Sequence, residues 1–223
     1  MKKAITLILL LSLIAGSLFL VGCGDDDDDD NNDDSTNEKF FPLDDGNRWD
    51  FEIKYINSIS SEIDSVDTMY QLITGDSLYQ GDGHTYKKVI DLPDTLVDLY
   101  RTDDNYLWTV KWNGPPVNQE LKFKSVKLYP EVGDTWQTAT TISVFEVTIN
   151  GECRAIETLE LPAGTFDNCY HMFISTESSL LTDSLHIWVV PELGPVKYQS
   201  YVYPSEDTVQ FKIRELIDYT VAE

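Results

Sequence analysis

The residues of this chain best suited to chemistry are three cysteines, at positions 23, 153 and 169, and three histidines, at 84, 171 and 186. Cys169 and His171 lie two apart in a segment whose apolar residues alternate, which puts both side chains on one face of an extended strand. A turn centred near residues 178 and 179 would set His186 opposite His171 and complete a Cys-His-His cluster of metal-ligand type from Cys169, His171 and His186. A slip of one residue destroys that cluster. Phe173 shares the same face and packed histidines are commoner than ligands, so a structural role is the leading expectation for all three.

Cys153 and Cys169 straddle the turn Pro162-Ala163-Gly164, where neighbouring hairpin strands would offer a disulfide in an oxidising compartment. A turn centred near 163 pairs residue 153 with about 173, however, so the register favours two buried thiols over the bridge. Beyond these residues the chain has no Gly-x-Ser-x-Gly, no phosphate-cradling glycine loop, no His-Glu-x-x-His and no Cys-x-x-Cys. Its carboxylates fall in turns and on the polar faces of alternating segments, where solvation accounts for them. The expectation is a protein without catalysis and without a cofactor.

Cys23 has a different chemistry. Met1-Lys2-Lys3 is a short cationic start, Ala4 to Leu20 is an apolar run, and Leu20-Val21-Gly22-Cys23 resembles the bacterial lipobox, in which the thiol takes a diacylglyceryl group. Residues 1–22 therefore read as a lipoprotein signal peptide, and Cys23 as the lipid attachment site. Acyl chains contribute about 0.8 kcal/mol per buried methylene, so two or three of them hold a protein durably at a membrane. Gly24 follows Cys23, so the aspartate that retains enteric lipoproteins in the inner membrane is absent, and the outer membrane is the expected location.

Residues 23–39 continue as Gly-Asp-Asp-Asp-Asp-Asp-Asp-Asn-Asn-Asp-Asp-Ser-Thr-Asn-Glu-Lys after the cysteine. Nothing in this tract can be buried, and its carboxylates repel one another, so it reads as an extended tether rather than a calcium loop, whose alternating ligands and turn glycine it lacks. The formal net charge of the chain is −23, and residues 40–223 still hold 30 acidic against 13 basic side chains. Such a surface is repelled by nucleic acid phosphates and by bare anionic lipid, so nucleic acid is excluded as a partner.

The elements that must position the candidate residues are strands. Trp49, Phe51, Ile53 and Tyr55 alternate with Asp50, Glu52 and Lys54; Tyr106, Trp108, Val110 and Trp112 repeat the pattern, as do Val209, Phe211 and Ile213. Turn residues intervene at 44–47, 81–83, 103–105, 113–116, 150–151, 162–164 and 194–195. A phase change between Ile142 and Ile149 predicts a bulge near Val144. Short helices have room at 57–65 and 177–183. Residues 40–223 thus read as a single mainly β domain: a curved antiparallel sheet that can close to a half-open barrel, with few short helices and room for two similar halves at 40–127 and 128–223.

The case for two halves is an echo. Phe41-Pro42-Leu43-Asp44-Asp45-Gly46-Asn47-Arg48-Trp49 returns as Tyr129-Pro130-Glu131-Val132-Gly133-Asp134-Thr135-Trp136, a turn glycine followed by a tryptophan that opens a strand. The segments after the two motifs do not align, so a recurring strand-entry device explains it as well as duplication does. With Leu161-Pro162-Ala163-Gly164-Thr165-Phe166-Asp167-Asn168-Cys169, then Trp188 and Gly194-Pro195-Val196-Lys197-Tyr198, this order resembles the TapB-like family of bacterial envelope lipoproteins. The resemblance implies a fold more than an activity, since that family is mostly of unknown function. Aromatic residues make up 12% of the chain, and Tyr198, Tyr201 and Tyr203 crowd one strand near Trp188, which suits a β core or a sugar-stacking surface. The functional expectation is a lipid-anchored envelope protein that binds an apolar ligand or a protein partner; the alternatives are a surface-displayed adhesion or assembly protein recognising glycan or protein, and an envelope hydrolase.

Overall fold

The computed structural model describes residues 40–222 apart from 114–118, 143–144, 179–181 and 206–207. The signal-like segment, Cys23 and the acidic tract lie outside the described residues. Twelve strands form in chain order: β1 (Arg48–Asn57), β2 (Ile63–Leu78), β3 (Thr85–Leu92), β4 (Leu96–Thr102), β5 (Tyr106–Asn113), β6 (Gln119–Lys127), β7 (Thr135–Ile142), β8 (Phe145–Leu161), β9 (Gly164–Ser178), β10 (Thr182–Val190), β11 (Gly194–Ser205) and β12 (Thr208–Thr220).

The strands make one antiparallel sheet in the order β6-β5-β4-β3-β2-β1-β12-β11-β10-β9-β8-β7. Two six-strand meanders are therefore joined through the first and last strands, which pair from Arg48 with Thr220 to Asn57 with Gln210. The sheet curls into a nearly closed barrel, and its seam falls between β6 and β7, at the middle of the sequence. No ladder crosses the seam; instead the Lys124 amide donates to Thr138 Oγ1 at 3.1 Å. Lys122, Lys124 and Lys127 charge the β6 edge, which keeps it from pairing with another chain.

In β1 the alternation read from the sequence sets which residues face the interior, whereas in β12 it is inverted: Arg214 and Leu216 pair with the inward Ile53 and Phe51, so Phe211 and Ile213 face outward. Trp49, Phe51 and Ile53 of β1, Met69 and Ile73 of β2, Met172 of β9 and Leu216 of β12 are buried, while their chain neighbours reach the outside. Phe40 and Phe41 are buried at the end of the barrel that carries residues 40–47, and with Trp49 and Leu193 they plug it. The opposite end carries the β1–β2 and β3–β4 turns and is referred to below as the far end.

No short helix forms at 57–65, which is the β1–β2 turn running into β2; of 177–183, residues 177–178 end β9, 182–183 begin β10, and 179–181 lie outside the described residues. The phase change at 142–149 marks a hairpin, since Ile142 pairs with Phe145; Val144 itself lies outside the described residues. Asn150-Gly151 is also no turn. It sits in mid-strand, with Gly151 opposite Trp136, because a Cβ there would meet the Trp136 ring at 2.0 Å and only glycine leaves room for it.

Candidate functional site

The structure brings the two predicted histidines together and leaves the cysteine out. His171 pairs with Trp188, and Phe173 with His186, a register two residues from the expected one. A shift of two preserves the side-chain face, so the imidazoles become diagonal neighbours on the outer surface. His171 Nε2 is 2.8 Å from His186 Nδ1. The Trp188 ring stacks on His171 at 4.3 Å and 11°, and its Nε1 donates to Glu157 Oε1 at 2.6 Å. Glu157 Oε1 is also 3.7 Å from His171 Nδ1. Burial holds both imidazoles below the ordinary histidine range.

Cys169 is fully buried and its thiol donates to the Phe166 carbonyl at 3.3 Å. Among the described residues no group of three or more His, Cys, Asp or Glu side chains is arranged to hold a metal ion. The two thiols are free and buried, as the register favoured, and the alternative bridge is not formed: Cys153 faces Met172 and Cys169 faces Glu157 across β8 and β9. The cause is register, since the residue opposite Cys153 is three positions from Cys169 and the residue opposite Cys169 is four positions from Cys153. Burial pushes the Cys169 thiol up to about 11.

A different constellation occupies the interior. The Tyr198 hydroxyl of β11 reaches Gln71 Oε1 of β2 at 3.2 Å, although two strands separate β2 from β11 in the sheet, so the bond crosses the lumen. Gln71 Nε2 donates in turn to Asp91 Oδ1 of β3 at 2.9 Å. Arg214 of β12 lies 3.8 Å from Asp91 Oδ2, again across the lumen. Asp98 of β4 faces the same space and pairs with Lys111 at 3.4 Å.

The electrostatics follow from this enclosure. Burial pushes Asp98 above the ordinary carboxylate range, against the pull of Lys111 and with a further push from the charge of Asp91. Burial likewise raises Tyr100 and Tyr198. Lys212 is held down by burial and by the neighbouring Arg214. Yet the Asp91, Asp98 and Arg214 side chains retain 18%, 19% and 23% of their surface, so solvent reaches the network from the far end. This is an inward-facing hydrogen-bonding network with both signs of charge, beside an apolar plug.

The sequence carries one local signal for this network. Gln71 stands in phase between Met69 and Ile73, so a polar side chain occupies an apolar-face position and must find a partner indoors. Arg214 and Asp91 gave no such signal, because polar residues in alternating strands read as a wet outer face. The Tyr201 ring lies 4.7 Å from that of Phe211 at a tilt of 51°, apart from this network. A recess of about 690 Å³ opens at the plugged end beside Leu43, Lys87, Tyr100 and Arg101, but its Lys87 is already paired with Asp45 and Asp76.

No family model matches the chain, and no curated protein matches it. Two solved structures are similar. One is a protein of Parabacteroides distasonis ATCC 8503 provisionally described as a lipoprotein, with 16% identity, a TM-score of 0.45 and coverage of 81% of this chain and 98% of that one. The other is a protein of Bacteroides fragilis NCTC 9343 provisionally described as exported, with a YmcC-like fold, 12% identity, a TM-score of 0.42 and the same coverage of 81% and 98%. Neither comparison names the TapB-like family, and both likenesses are too distant to carry function across.

Proposed function

We propose that this chain is a non-catalytic, lipid-anchored envelope protein that binds a polar, hydroxyl-rich ligand of glycan type in the far end of its barrel. The observation that carries this reading is the change in chemistry along the lumen, from Phe40, Phe41 and Trp49 at one end to Tyr198, Gln71, Asp91 and Arg214 towards the other. An apolar ligand would have to strand these groups without water, at about 1 to 3 kcal/mol for each one left unpaired. A sugar offers hydroxyls that both donate and accept, which suits carboxylate, guanidinium and phenol together. Envelope location and anchoring rest on the lipobox-like Cys23 and the acidic tract after it.

The test is calorimetric titration of the full chain in detergent with soluble envelope oligosaccharides. Binding of one oligosaccharide class that Arg214→Met weakens at least tenfold supports the reading; no saccharide binding alongside binding of free acyl chains rejects it. A protein partner is the second reading, favoured by the exposed apolar residues Ile59, Ile63, Leu96 and Val97 around the far-end turns.

A further inference from the structure

We propose that His171 and His186 form a two-ligand site for a divalent transition-metal ion on the outer face of β9 and β10, with Glu157 as the residue that orients His171. The site lies on the outer wall and is independent of the luminal reading.

Two imidazole nitrogens that share one ion at about 2.0 to 2.1 Å stand about 2.9 to 3.4 Å apart for right-angled to tetrahedral geometries. His171 Nε2 and His186 Nδ1 are 2.8 Å apart, so an opening of a few tenths of an ångström admits an ion between them. Both rings are already fixed in direction. Trp188 stacks flat on His171, and Phe173 lies 4.9 Å from His186 at 54°.

The Glu157 carboxylate, 3.7 Å from His171 Nδ1 and beyond hydrogen-bond reach, biases the tautomer through its charge. Glu157 Oε1 lies beside His171 Nδ1, which favours the proton on that nitrogen and leaves the Nε2 lone pair aimed at His186. In the metal-free pair His186 then donates its Nδ1 proton to His171. Metal binding moves that proton through solvent to His186 Nε2, and no net proton is released. A carboxylate behind a ligating histidine is the arrangement that commonly orients metal-bound imidazoles. The outward face leaves the remaining coordination positions to water. Neutral imidazole pairs suit Cu²⁺, Ni²⁺ and Zn²⁺, with Cu²⁺ bound most tightly.

Cu²⁺ added to the full chain in detergent, followed by electron paramagnetic resonance and a competition titration, tests the proposal. The expected result is one equivalent whose spectrum carries coupling from two nitrogens. The Asp-rich tract at 25–34 is the obvious competitor, and it offers only oxygen donors. His171→Gln and His186→Gln are each expected to remove the two-nitrogen spectrum and to weaken binding on the order of 100-fold. Glu157→Gln should keep two nitrogens and weaken binding about tenfold. An oxygen-only spectrum on the unaltered chain overturns the proposal whatever the variants do, as does a two-nitrogen spectrum that survives in both histidine variants.

Discussion

Tyr198 and Gln71 lie 127 residues apart in sequence and on strands that do not touch in the sheet, yet their side chains meet across the barrel at 3.2 Å. The bond ties β11 to β2 through the lumen and holds Gln71 in place for Asp91. Tyr198→Phe leaves Gln71 Oε1 buried with that partner removed. The expected loss is about 1 to 2 kcal/mol, read from urea unfolding of the full chain. An unchanged midpoint would mean that the bond does not form in solution.

Gly46 and Gly133 provide a comparative prediction. Their φ values are +96° and +95°, and each amide donates to a carbonyl of the neighbouring strand, Ile73 at 3.0 Å for one and Cys153 at 2.8 Å for the other. Gly46→Ala and Gly133→Ala each force an L-residue into a conformation it rarely adopts, at about 1 to 3 kcal/mol. The two losses should agree to within about 0.5 kcal/mol; a large difference would show that the turns are not equivalent.

Packing gives a harsher case at Gly151. A methyl group there collides with the Trp136 indole in the closed interior, so Gly151→Ala should lower stability by about 1 to 3 kcal/mol or prevent folding. Pairing it with a smaller ring, as in Gly151→Ala with Trp136→Leu, should recover part of the loss in thermal melts. No recovery would place the Trp136 ring elsewhere.

Glu215 sets an acid limb of stability. Burial raises its pKa, but hydrogen bonds from Lys54 at 2.8 Å and Lys197 at 3.0 Å outweigh this and leave it below the ordinary value of 4.5. A carboxylate with a depressed folded-state pKa stabilises fully above its unfolded value and loses that contribution as pH falls through the folded one. Melting temperature should therefore fall from about pH 4.5 downward, and Glu215→Gln should be less stable at neutral pH with a flatter acid limb. Parallel profiles for the two proteins would contradict the assignment.

The buried thiols predict a labelling pattern. With Cys169 pushed up to about 11 and Cys153 raised as well, neither thiolate is populated at pH 8 in the folded chain. Iodoacetamide should label both only after denaturation, without prior reduction. Failure to label until a reductant is added would reveal a disulfide.

These results show where strand alternation carries information and where it does not. It located the inward Trp49, Phe51 and Ile53 and the mainly β fold, because period two is a property of single strands. The echo at 41–49 and 129–136 was also legible, and both tryptophans enter strands at the same end of the barrel, over Gly194 and Gly151. Register was not legible to the residue: His171 lies opposite Trp188 and Cys153 opposite Met172, because pairing depends on turn geometry that strand periodicity does not report. The luminal network was hidden for a related reason. Asp91 and Arg214 meet only when the sheet closes, and no local pattern reports which face of a charged strand becomes the inside.

Native mass spectrometry with lipid and glycan extraction, on the full chain purified from an envelope that makes it, tests the central claim most directly. The account predicts a retained polar, sugar-containing mass that Arg214→Met releases while the protein stays folded. A retained acyl lipid, unaffected by Arg214→Met, would contradict it.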